Sequence, residues 1–224
     1  MDRRYYEAYD DRYAQVHGQD LQWFAGIPSP IVGDVLERYN INSKILEIGC
    51  GEGRDAGYLL ERGYDVLATD VSPAAIQYAR KQFPEFADRF GVLDCLTENL
   101  DEKFDFIYAV AVVHMLVLDE DRNGFYRFIR EHLAPGGKAL ICTMGNGEWE
   151  MQSDISTAFD VQKRIHEPTG REVEIAGTSC RMVSWETFRR ELAANCLDII
   201  ESGITAVEPD FPQMMYALVE NRKM

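Results

Sequence analysis

Short apolar runs alternate with helical patterns through the middle of the chain. The apolar runs have the length of single strands and are rich in branched and aromatic residues. They lie at 43–49, 64–70, 89–94, 104–113 and 138–144, and the helical patterns lie at 53–63, 72–83 and 119–133. Alternation of this kind is typical of a parallel sheet with helices on both faces.

The C-terminal part continues with a helical pattern at 184–195 and with apolar runs at 197–203 and 213–221. The connection between these two runs, with Pro209 and Pro212, is too short for the crossover that parallel neighbours need. We therefore expect the two strands to pair antiparallel. The whole pattern predicts an α/β fold with a seven-stranded, mostly parallel sheet whose last strand lies antiparallel beside the fifth.

Two regions fall outside this alternation. The first, 1–40, is rich in aromatic residues, namely Tyr5, Tyr6, Tyr9, Tyr13, Trp23 and Phe24. The second, 145–183, contains a hairpin pattern around 168–170. Because ligands of open α/β sheets bind beyond the carboxyl ends of the strands, we expect both regions to cover that edge. The predicted organisation is a single domain, 1–224, made of an N-terminal helical lid (1–40), a cofactor-binding core (41–144), an insertion or substrate cap (145–183), and a C-terminal helix with an antiparallel strand pair (184–224).

Charge and composition narrow the function classes. The chain has 38 acidic against 23 basic residues and a net charge of −15. This balance disfavours nucleic acid as a partner, because phosphate binding needs clustered Lys and Arg. Five widely spaced cysteines form neither a disulfide framework nor a zinc pattern, and no metal is expected. The charged N-terminus and the lack of a membrane-length apolar stretch predict a cytoplasmic protein without a membrane partner. We expect a monomer or a homodimer.

The candidate chemistry begins at a glycine-rich turn between a strand and a helix, which reads Glu47-Ile48-Gly49-Cys50-Gly51-Glu52-Gly53. Glycines let a ligand approach the backbone, and the following helix offers free N–H groups. Asp70 ends the next strand, about 20 residues on, where an acid commonly binds ribose hydroxyls. Counted from Gly51, the turn also matches a dinucleotide fingerprint weakly. Glu47 would repel a pyrophosphate, however, and would suit a ligand with an ammonium group.

Together these residues resemble the motifs of the class I S-adenosylmethionine-dependent methyltransferases. E-I-G-C-G-E-G is similar to the family's first motif, and ATDVSP, FDFIYAVAVVHML and LAPGGKALI are similar to later ones. The run GEGRDAGYLLERGYDVLATD, with WFAGIPSP before it, is most similar to the tellurite-resistance, thiopurine and thiol methyltransferases. The resemblance implies a Rossmann-like fold, S-adenosyl-L-methionine as cofactor and S-adenosyl-L-homocysteine as product.

The resemblance also implies the residues of a cofactor site. Glu47 would face the ammonium group and the glycines the methionine part, while Asp70 would bind the ribose hydroxyls. Val71 would flank the adenine, and Asp94 with the Cys95 backbone would contact its edge. Together with two aromatic residues of the lid, whose faces suit a sulfonium, the expected cofactor-binding positions are Glu47, Gly49, Cys50, Gly51, Gly53, Arg54, Asp70, Val71, Asp94, Cys95, Ala109, Tyr13 and Trp23.

Several of the candidate positions keep two interpretations. Ala109 replaces the small polar residue often found at this point of the family, so that only a backbone contact would survive. Arg54 would meet the cofactor carboxylate or form a structural salt bridge. His114, after the fourth strand, would act as a catalytic base or would simply pack at a strand end. Tyr9 and Trp149 are expected to line the acceptor pocket, although a lone aromatic residue more often belongs to a core.

The sequence therefore predicts methyl transfer from S-adenosylmethionine to a small-molecule acceptor by in-line displacement, in which positioning is the enzyme's main contribution. Three alternatives stay open: an aminopropyl transferase on the same fold, an NAD-dependent oxidoreductase, and a non-catalytic cofactor-binding or interaction protein. The first calls for an acid-rich motif after the fourth strand, which the sequence lacks. The second would keep a parallel sixth strand.

Overall fold

A seven-stranded sheet forms the centre of the computed structural model, which describes residues 3–24, 26–166 and 169–223. The strand order across the sheet is β10-β11-β5-β4-β1-β2-β3. These strands are β1 (Ile45–Ile48), β2 (Val66–Asp70), β3 (Phe90–Val92), β4 (Phe104–Val110), β5 (Leu133–Met144), β10 (Leu197–Val207) and β11 (Phe211–Asn221). Two small antiparallel pairs lie between β5 and β10 in the chain: β6 (Met151–Gln152) with β9 (Arg181–Met182), and β7 (Val161–His166) with β8 (Arg171–Ala176).

Six α-helices accompany the sheet within the described ranges. They are α1 (Ala8–His17), α2 (Pro30–Arg38), α3 (Arg54–Leu60), α4 (Pro73–Gln82), α5 (Asp119–His132) and α6 (Trp185–Ala194). Two of them begin as their sequences predict, because a serine caps each N-terminus. The Ser72 hydroxyl accepts a hydrogen bond from Ala75 N at 3.0 Å, and that of Ser184 accepts one from Thr187 N at 3.2 Å.

Helices cover both faces of the sheet, as the sequence predicts. Successive residues of β4 face opposite sides of the sheet. Ile107 and Ala109 belong to one buried cluster, and Phe106 and Tyr108 belong to the other. The first cluster includes apolar residues of α5 and α6, and the second includes those of α2, α3 and α4. Because both faces of the central strands are buried, these strands are continuous apolar runs in the sequence.

The last strand, β11, runs antiparallel between β5 and β10, which confirms the predicted topology. Leu218 pairs with Leu140 of β5, and Ala217 pairs with Ser202 of β10. The other six strands share one direction, and β5, β4, β1, β2 and β3 pair in parallel. This arrangement is the one that the resemblance to class I methyltransferases predicts. The strand beside β5 is antiparallel, whereas a dinucleotide oxidoreductase would place a parallel sixth strand there,.

The N-terminal segment and the insertion pack against each other. Val16 and Leu21, at the end of α1 and just beyond it, share a small apolar cluster with Val173 and Ile175 of β8. The strands β7 and β8 form the predicted hairpin, in which His166 pairs with Arg171. Residue 168 of the predicted turn lies outside the described residues. The division of the chain into lid, core and cap stays a prediction.

No helix in the described part of the chain is long and apolar enough to cross a membrane.

Candidate active site

The glycine-rich turn connects β1 to α3 with three residues in the left-handed region. Gly49, Gly51 and Gly53 have φ values of 74°, 53° and 84°. A β-carbon on Gly49 would lie 2.4 Å from Val112 Cγ2, and one on Gly51 would lie 2.6 Å from the Tyr13 hydroxyl. Glycine is therefore required at both positions by conformation and by space.

Asp70, at the end of β2, joins this turn to the start of α4. Its Oδ2 accepts a hydrogen bond from Gly51 N at 2.8 Å, and its Oδ1 accepts one from Ser72 N at 2.8 Å. The residue is 8% exposed. Burial raises the pKa of the Asp70 carboxyl to about 6, although both N–H donors act in the opposite direction.

A cavity opens beyond the carboxyl ends of the strands and contains about 970 Å³ of space free of protein atoms, part of it continuous with solvent. We call it the first cavity. Eleven of the residues singled out in the sequence line it: Tyr9, Tyr13, Glu47, Gly49, Cys50, Gly51, Arg54, Asp70, Val71, Asp94 and Cys95. The fold therefore collects residues from four strand ends and the N-terminal segment at one place, as is usual for ligand sites of such sheets.

Glu47 and Arg54 lie at the end of the first cavity nearest the turn. Glu47 is 3% exposed, and its carboxylate interacts with the buried hydroxyl of Tyr108, its neighbour on β4. Burial, followed by the charge of Asp55, raises the pKa of the Glu47 carboxyl. Arg54 Nη2 lies 3.2 Å from Asp55 Oδ2, and Arg54 Nη1 lies 3.6 Å from Asp210 Oδ2. The structural salt bridge considered for Arg54 is thus present, and the side chain also lines the cavity.

Asp94 also lines the first cavity and binds a tyrosine that was not among the expected site residues. The Tyr6 hydroxyl donates to Asp94 Oδ2 at 3.0 Å and accepts from Arg4 Nη1 at 2.8 Å. Asp94 also accepts from Leu96 N at 2.9 Å. The contact joins residues that are 88 positions apart in the chain, so no local sequence pattern predicts it.

Glu52 is a second residue that the sequence analysis left without a role. It lies inside the glycine-rich turn, with its side chain 1% exposed, and binds the N-terminal segment. Its Oε1 accepts from Trp23 N at 2.7 Å and lies 2.8 Å from His17 Nε2, and its Oε2 accepts from Phe24 N at 3.1 Å. The sequence feature that could have identified Glu52 is its place between Gly51 and Gly53 in the turn.

A second cavity, which we call the second chamber, adjoins the first. It contains about 1470 Å³ of atom-free space, also partly open to solvent, and shares the wall residues Tyr9, Phe24, Met115 and Phe211 with the first cavity. Most of its other wall residues come from the 145–183 region, including strand β7 of the hairpin. Trp23, expected in the cofactor site, lines this chamber instead.

His114 also lines the second chamber, directly after β4. It is 3% exposed, and its Nδ1 has no hydrogen-bond partner in the described ranges. Burial, with the charges of Arg122 and Arg12, lowers the pKa of His114 to about 3. The imidazole is therefore neutral at physiological pH and is a weak base.

Three candidate residues lie outside both cavities. Gly53 backs onto the core, since a β-carbon there would lie 2.9 Å from Phe90 Cε1. Ala109 is 1% exposed inside the sheet. Trp149 is 68% exposed, and the acceptor contact expected of it stays a prediction. Its neighbour Gly147 instead receives the ring of Trp185, since a β-carbon on that glycine would lie 2.1 Å from Trp185 Cδ1.

The described residues contain no group of three or more His, Cys, Asp or Glu side chains placed to hold a metal ion. The five cysteines are all free, and they are Cys50, Cys95, Cys142, Cys180 and Cys196.

Residues 46–139 match the family described as methyltransferase domain. The chain is 38% identical over 122 residues to a protein named Hemagglutinin 1 from Eikenella corrodens, with 52% of this chain and 39% of that protein covered. It is 30% identical over 123 residues to the 2-heptyl-1-hydroxyquinolin-4(1H)-one methyltransferase of Mycobacteroides abscessus, with 53% and 54% covered. It is 33% identical over 115 residues to the probable S-adenosyl-L-methionine-dependent methyltransferase TehB of Haemophilus influenzae, with 50% and 40% covered. The chain thus spans between 39% and 54% of the lengths of these relatives.

Solved structures share the fold over most of the chain. The glycopeptide N-methyltransferase MtfA complexed with sinefungin has a TM-score of 0.66 at 22% identity, with 90% of each chain covered. A TehB-like methyltransferase from Corynebacterium glutamicum has a TM-score of 0.59 at 19% identity, with 97% of this chain and 98% of that chain covered. Residues 46–139 therefore match a methyltransferase domain, and the described structure shares the fold of class I, Rossmann-like S-adenosylmethionine-dependent methyltransferases.

Proposed function

We propose that the protein transfers a methyl group from S-adenosylmethionine, held in the first cavity, to a small-molecule acceptor in the second chamber. The observation that carries the proposal is the junction of the two spaces through the shared walls of Tyr9, Phe24, Met115 and Phe211. A donor in one space and an acceptor in the other would meet there without passing through solvent. The quinolone methyltransferase named above acts on a small molecule, which supports the acceptor class.

The residues of the first cavity fit S-adenosylmethionine. The buried carboxylate of Glu47 suits an ammonium group, and the backbone cradle at Gly49 and Gly51 has no room for a side chain. Asp70 has a buried carboxylate that would bind the ribose hydroxyls, and Asp94 lines the same cavity. A pyrophosphate would instead meet three carboxylates, which would repel it.

Cofactor contacts are proposed for the expected cofactor positions that line the first cavity, and three expected positions that do not line it would have other roles. Gly53 would shape the turn from behind rather than touch the ligand, and Ala109 would act through the packing of β4. Trp23 would contact the acceptor, since it lines the second chamber. Tyr13, whose hydroxyl lies beside Gly51, would shield the cofactor from water. Trp149 has no proposed contact in this arrangement.

The chemistry is an in-line displacement on a methyl carbon that the sulfonium of the cofactor activates. A lone pair of the acceptor forms the new bond to carbon, the carbon–sulfur bond breaks, and its electron pair stays on sulfur in S-adenosylhomocysteine. The protein's contribution is to hold the two reactants in line, which is worth about 7–11 kcal/mol in favourable systems. His114, neutral because of its low pKa, would hydrogen-bond to the acceptor rather than remove a proton from it.

The test combines binding with turnover. Calorimetry should show S-adenosylmethionine binding, and S-adenosylhomocysteine should form when the protein is given one member of a panel of thiols, amines, phenols and carboxylic acids. Binding without turnover on any member would support a non-catalytic cofactor-binding protein instead. Lack of binding would refute the proposal. The expected cytoplasmic location, the monomer or homodimer and the absence of a nucleic-acid partner stay predictions.

A further inference from the structure

Two arginines bring positive charge to the second chamber of a strongly acidic chain. They are Arg12 of α1 and Arg164 of β7. Among the described residues, Asp210 is the one carboxylate that lines the chamber, and its Oδ2 lies 3.6 Å from Arg54 Nη1. The two imidazoles that line it, those of His114 and His166, face the same space. His114 is neutral because burial lowers its pKa to about 3.

Arg12 is buried, at 7% exposure, and its hydrogen bonds go to carbonyl oxygens. Its Nη2 donates to Ala176 O at 2.9 Å and to Gly177 O at 2.7 Å. The guanidinium carbon lies 5.3 Å from the centre of the Tyr9 ring and 5.1 Å from that of Trp23. No carboxylate in the described ranges forms an ion pair with it. Burial lowers the pKa of Arg12, as an uncompensated cation requires,.

Among the described residues, the other buried arginine, Arg122, and the half-buried Arg54 do have carboxylate partners. Arg122, 1% exposed, binds Glu191 through Nε at 2.8 Å and through Nη2 at 2.7 Å. Arg54 lies 3.2 Å from Asp55. A buried charge is normally paired, because leaving it uncompensated is costly. Arg12 departs from this rule at the wall of a cavity, where a bound anion would supply the missing charge.

Arg164, on strand β7 of the hairpin, is the second cation that lines the chamber. Gln162, Arg164, Ile165 and His166 of β7 line the chamber, whereas Lys163 does not and pairs with Glu172 at 2.9 Å. The Arg164 guanidinium donates to Gln162 Oε1 at 3.4 Å, and none of the described carboxylates pairs with it. Arg164 also contributes to the lowered pKa of Arg12, which places both cations in one electrostatic environment.

The rest of the chamber wall mixes apolar and polar side chains. Met144, Met151 and Met182 line it together with Trp23 and Phe211, and Ser153, Thr157, Thr178 and Ser179 add hydroxyl groups. Thioether side chains adapt to irregular apolar shapes, and aromatic rings offer flat contact surfaces. The chamber therefore combines apolar surface with the positive charge of Arg12 and Arg164.

We propose that the methyl acceptor is an organic anion with an apolar or aromatic body, whose negative group is bound by Arg12 and Arg164. The proposal rests on the proposed function, because it concerns the acceptor that the second chamber would hold. An anionic group that approaches the sulfonium also gains attraction from its charge. Displacement then joins the acceptor to the methyl carbon and leaves a neutral sulfur, so that no base is needed when the anionic atom itself is methylated.

The test uses the full chain saturated with S-adenosylhomocysteine, and binding is measured by calorimetry. The probes are benzoate, phenylacetate, 2-naphthoate and octanoate, each compared with its amide of the same shape. We expect at least one carboxylate to bind about tenfold or more tightly than its amide, since hydrogen bonds to charged groups are the stronger ones. Arg164→Gln should weaken carboxylate binding about fivefold, the modest size reflecting its exposure.

The matched control is Arg171→Gln, which makes the same charge change on β8 at a position that does not line the chamber. It should leave the carboxylate affinity unchanged. Arg12→Lys keeps a cation at the buried site and should retain part of the affinity, which separates loss of charge from loss of folding. Equal binding of carboxylates and amides, an equal effect of Arg164→Gln and Arg171→Gln, or no carboxylate binding at all would overturn the proposal.

The first step of the same experiment separates this proposal from the proposed function. If S-adenosylhomocysteine binds and the carboxylates show no preference, only the acceptor class is wrong. If S-adenosylhomocysteine itself fails to bind, the methyltransferase proposal fails and the acceptor proposal falls with it.

Discussion

Asp70 combines a buried carboxylate with two backbone hydrogen bonds at the edge of the first cavity. Its pKa of about 6 lies above the ordinary aspartate value of 3.8, because burial disfavours the charged form. Ribose hydroxyls donate hydrogen bonds and therefore favour the ionised carboxylate. The part of the cofactor affinity that depends on this charge is present above about pH 6 and is lost as the pH falls through that value.

Replacing Asp70→Asn should therefore weaken S-adenosylhomocysteine binding in a pH-dependent way. Above pH 6 we expect a loss of about 1.5–3 kcal/mol for each charge-assisted hydrogen bond removed, and the two proteins should converge below pH 6. Ionisation of Asp70 has the opposite effect on the free energy of unfolding. Since the pKa is raised in the folded protein, ionisation of Asp70 lowers the free energy of unfolding of wild type relative to Asp70→Asn as the pH rises from 3.8 to about 6,.

Calorimetry across this range measures the binding difference, and Asp65→Asn is the control. Asp65 precedes the same strand, but it is exposed and pairs with Arg89 at 2.7 Å. An affinity difference between wild type and Asp70→Asn that does not change with pH would contradict the assignment of the charge to Asp70.

Alanine substitutions at Gly51 and at Gly63 distinguish the effect of backbone strain from the effect of excluding the ligand. Both have a left-handed φ, 53° and 83°, so alanine should destabilise each site by about 1–2 kcal/mol,. A β-carbon on Gly63 meets no atom within 4 Å, whereas one on Gly51 meets the Tyr13 hydroxyl at 2.6 Å. We expect Gly51→Ala to lose cofactor affinity and Gly63→Ala to keep it. Denaturant unfolding and calorimetry measure the two effects, and equal affinities would mean that the Gly51 cradle does not contact the ligand.

The sequence predicts site residues when their signal is local. The glycines at 49 and 51 and the acid at Asp70 occupy fixed places at strand ends, and the fold brings them together as expected. Tyr6 and Phe211 reach the first cavity by contacts between distant parts of the chain, which no local pattern encodes. Trp149 lines neither cavity, and the sequence of an insertion gives no information about which way an aromatic ring faces.

At the scale of elements, α1 is held over the first cavity by polar contacts to three loops. Tyr6, just before α1, binds Asp94; Asp10 Oδ1 accepts from Ser72 Oγ at 2.6 Å; and His17 lies 2.8 Å from Glu52. Each of these loops also lines the cavity or begins the helix next to it. Cofactor binding and the position of α1 should therefore depend on each other.

Glu52→Ala should loosen the chain after α1 without unfolding the sheet. The substitution removes the acceptor of Trp23 N and Phe24 N and the partner of His17. We expect faster amide exchange at these two positions and weaker binding of S-adenosylhomocysteine, while the amides of the central strands keep their protection. Hydrogen exchange followed by mass spectrometry or NMR measures this difference.

Glu61→Ala, at an exposed position after α3, is the control for Glu52→Ala and should leave exchange unchanged. Unaltered exchange at Trp23 and Phe24 in Glu52→Ala would show that apolar packing alone holds this segment.

Strands and helices of the core could be predicted from the sequence because their patterns are long and periodic. The predicted antiparallel order of β10 and β11 followed from the length of one connection, and the structure confirms it. The pair β6–β9 went unpredicted, because a two-residue strand carries no periodicity. β10 extends to Val207, beyond the predicted end at 203, where pairing with β11 continues through a bulge.

For the whole molecule, the net charge indicates the character of the surface but not the local charge of each cavity. A chain of net charge −15 disfavours polyanionic partners, yet the second chamber contains two arginines. A small organic anion is compatible with both facts, because it enters a local field rather than the field of the whole surface. The first cavity has the opposite character, with the carboxylates of Glu47, Asp70 and Asp94.

This acidic first cavity predicts which nucleotide cofactor stabilises the fold. S-adenosylhomocysteine at a hundred times its dissociation constant should add about 2.7 kcal/mol to the free energy of unfolding. For a chain of 224 residues this corresponds to a rise in Tm of roughly 5–11 °C,. NAD⁺ at the same concentration should produce no rise, because its pyrophosphate would face the carboxylates and because the sheet has an antiparallel seventh strand. Both ligands contain adenosine, so NAD⁺ is a matched control for adenine binding alone. A rise with NAD⁺ as large as that with S-adenosylhomocysteine would contradict the proposed specificity of the first cavity.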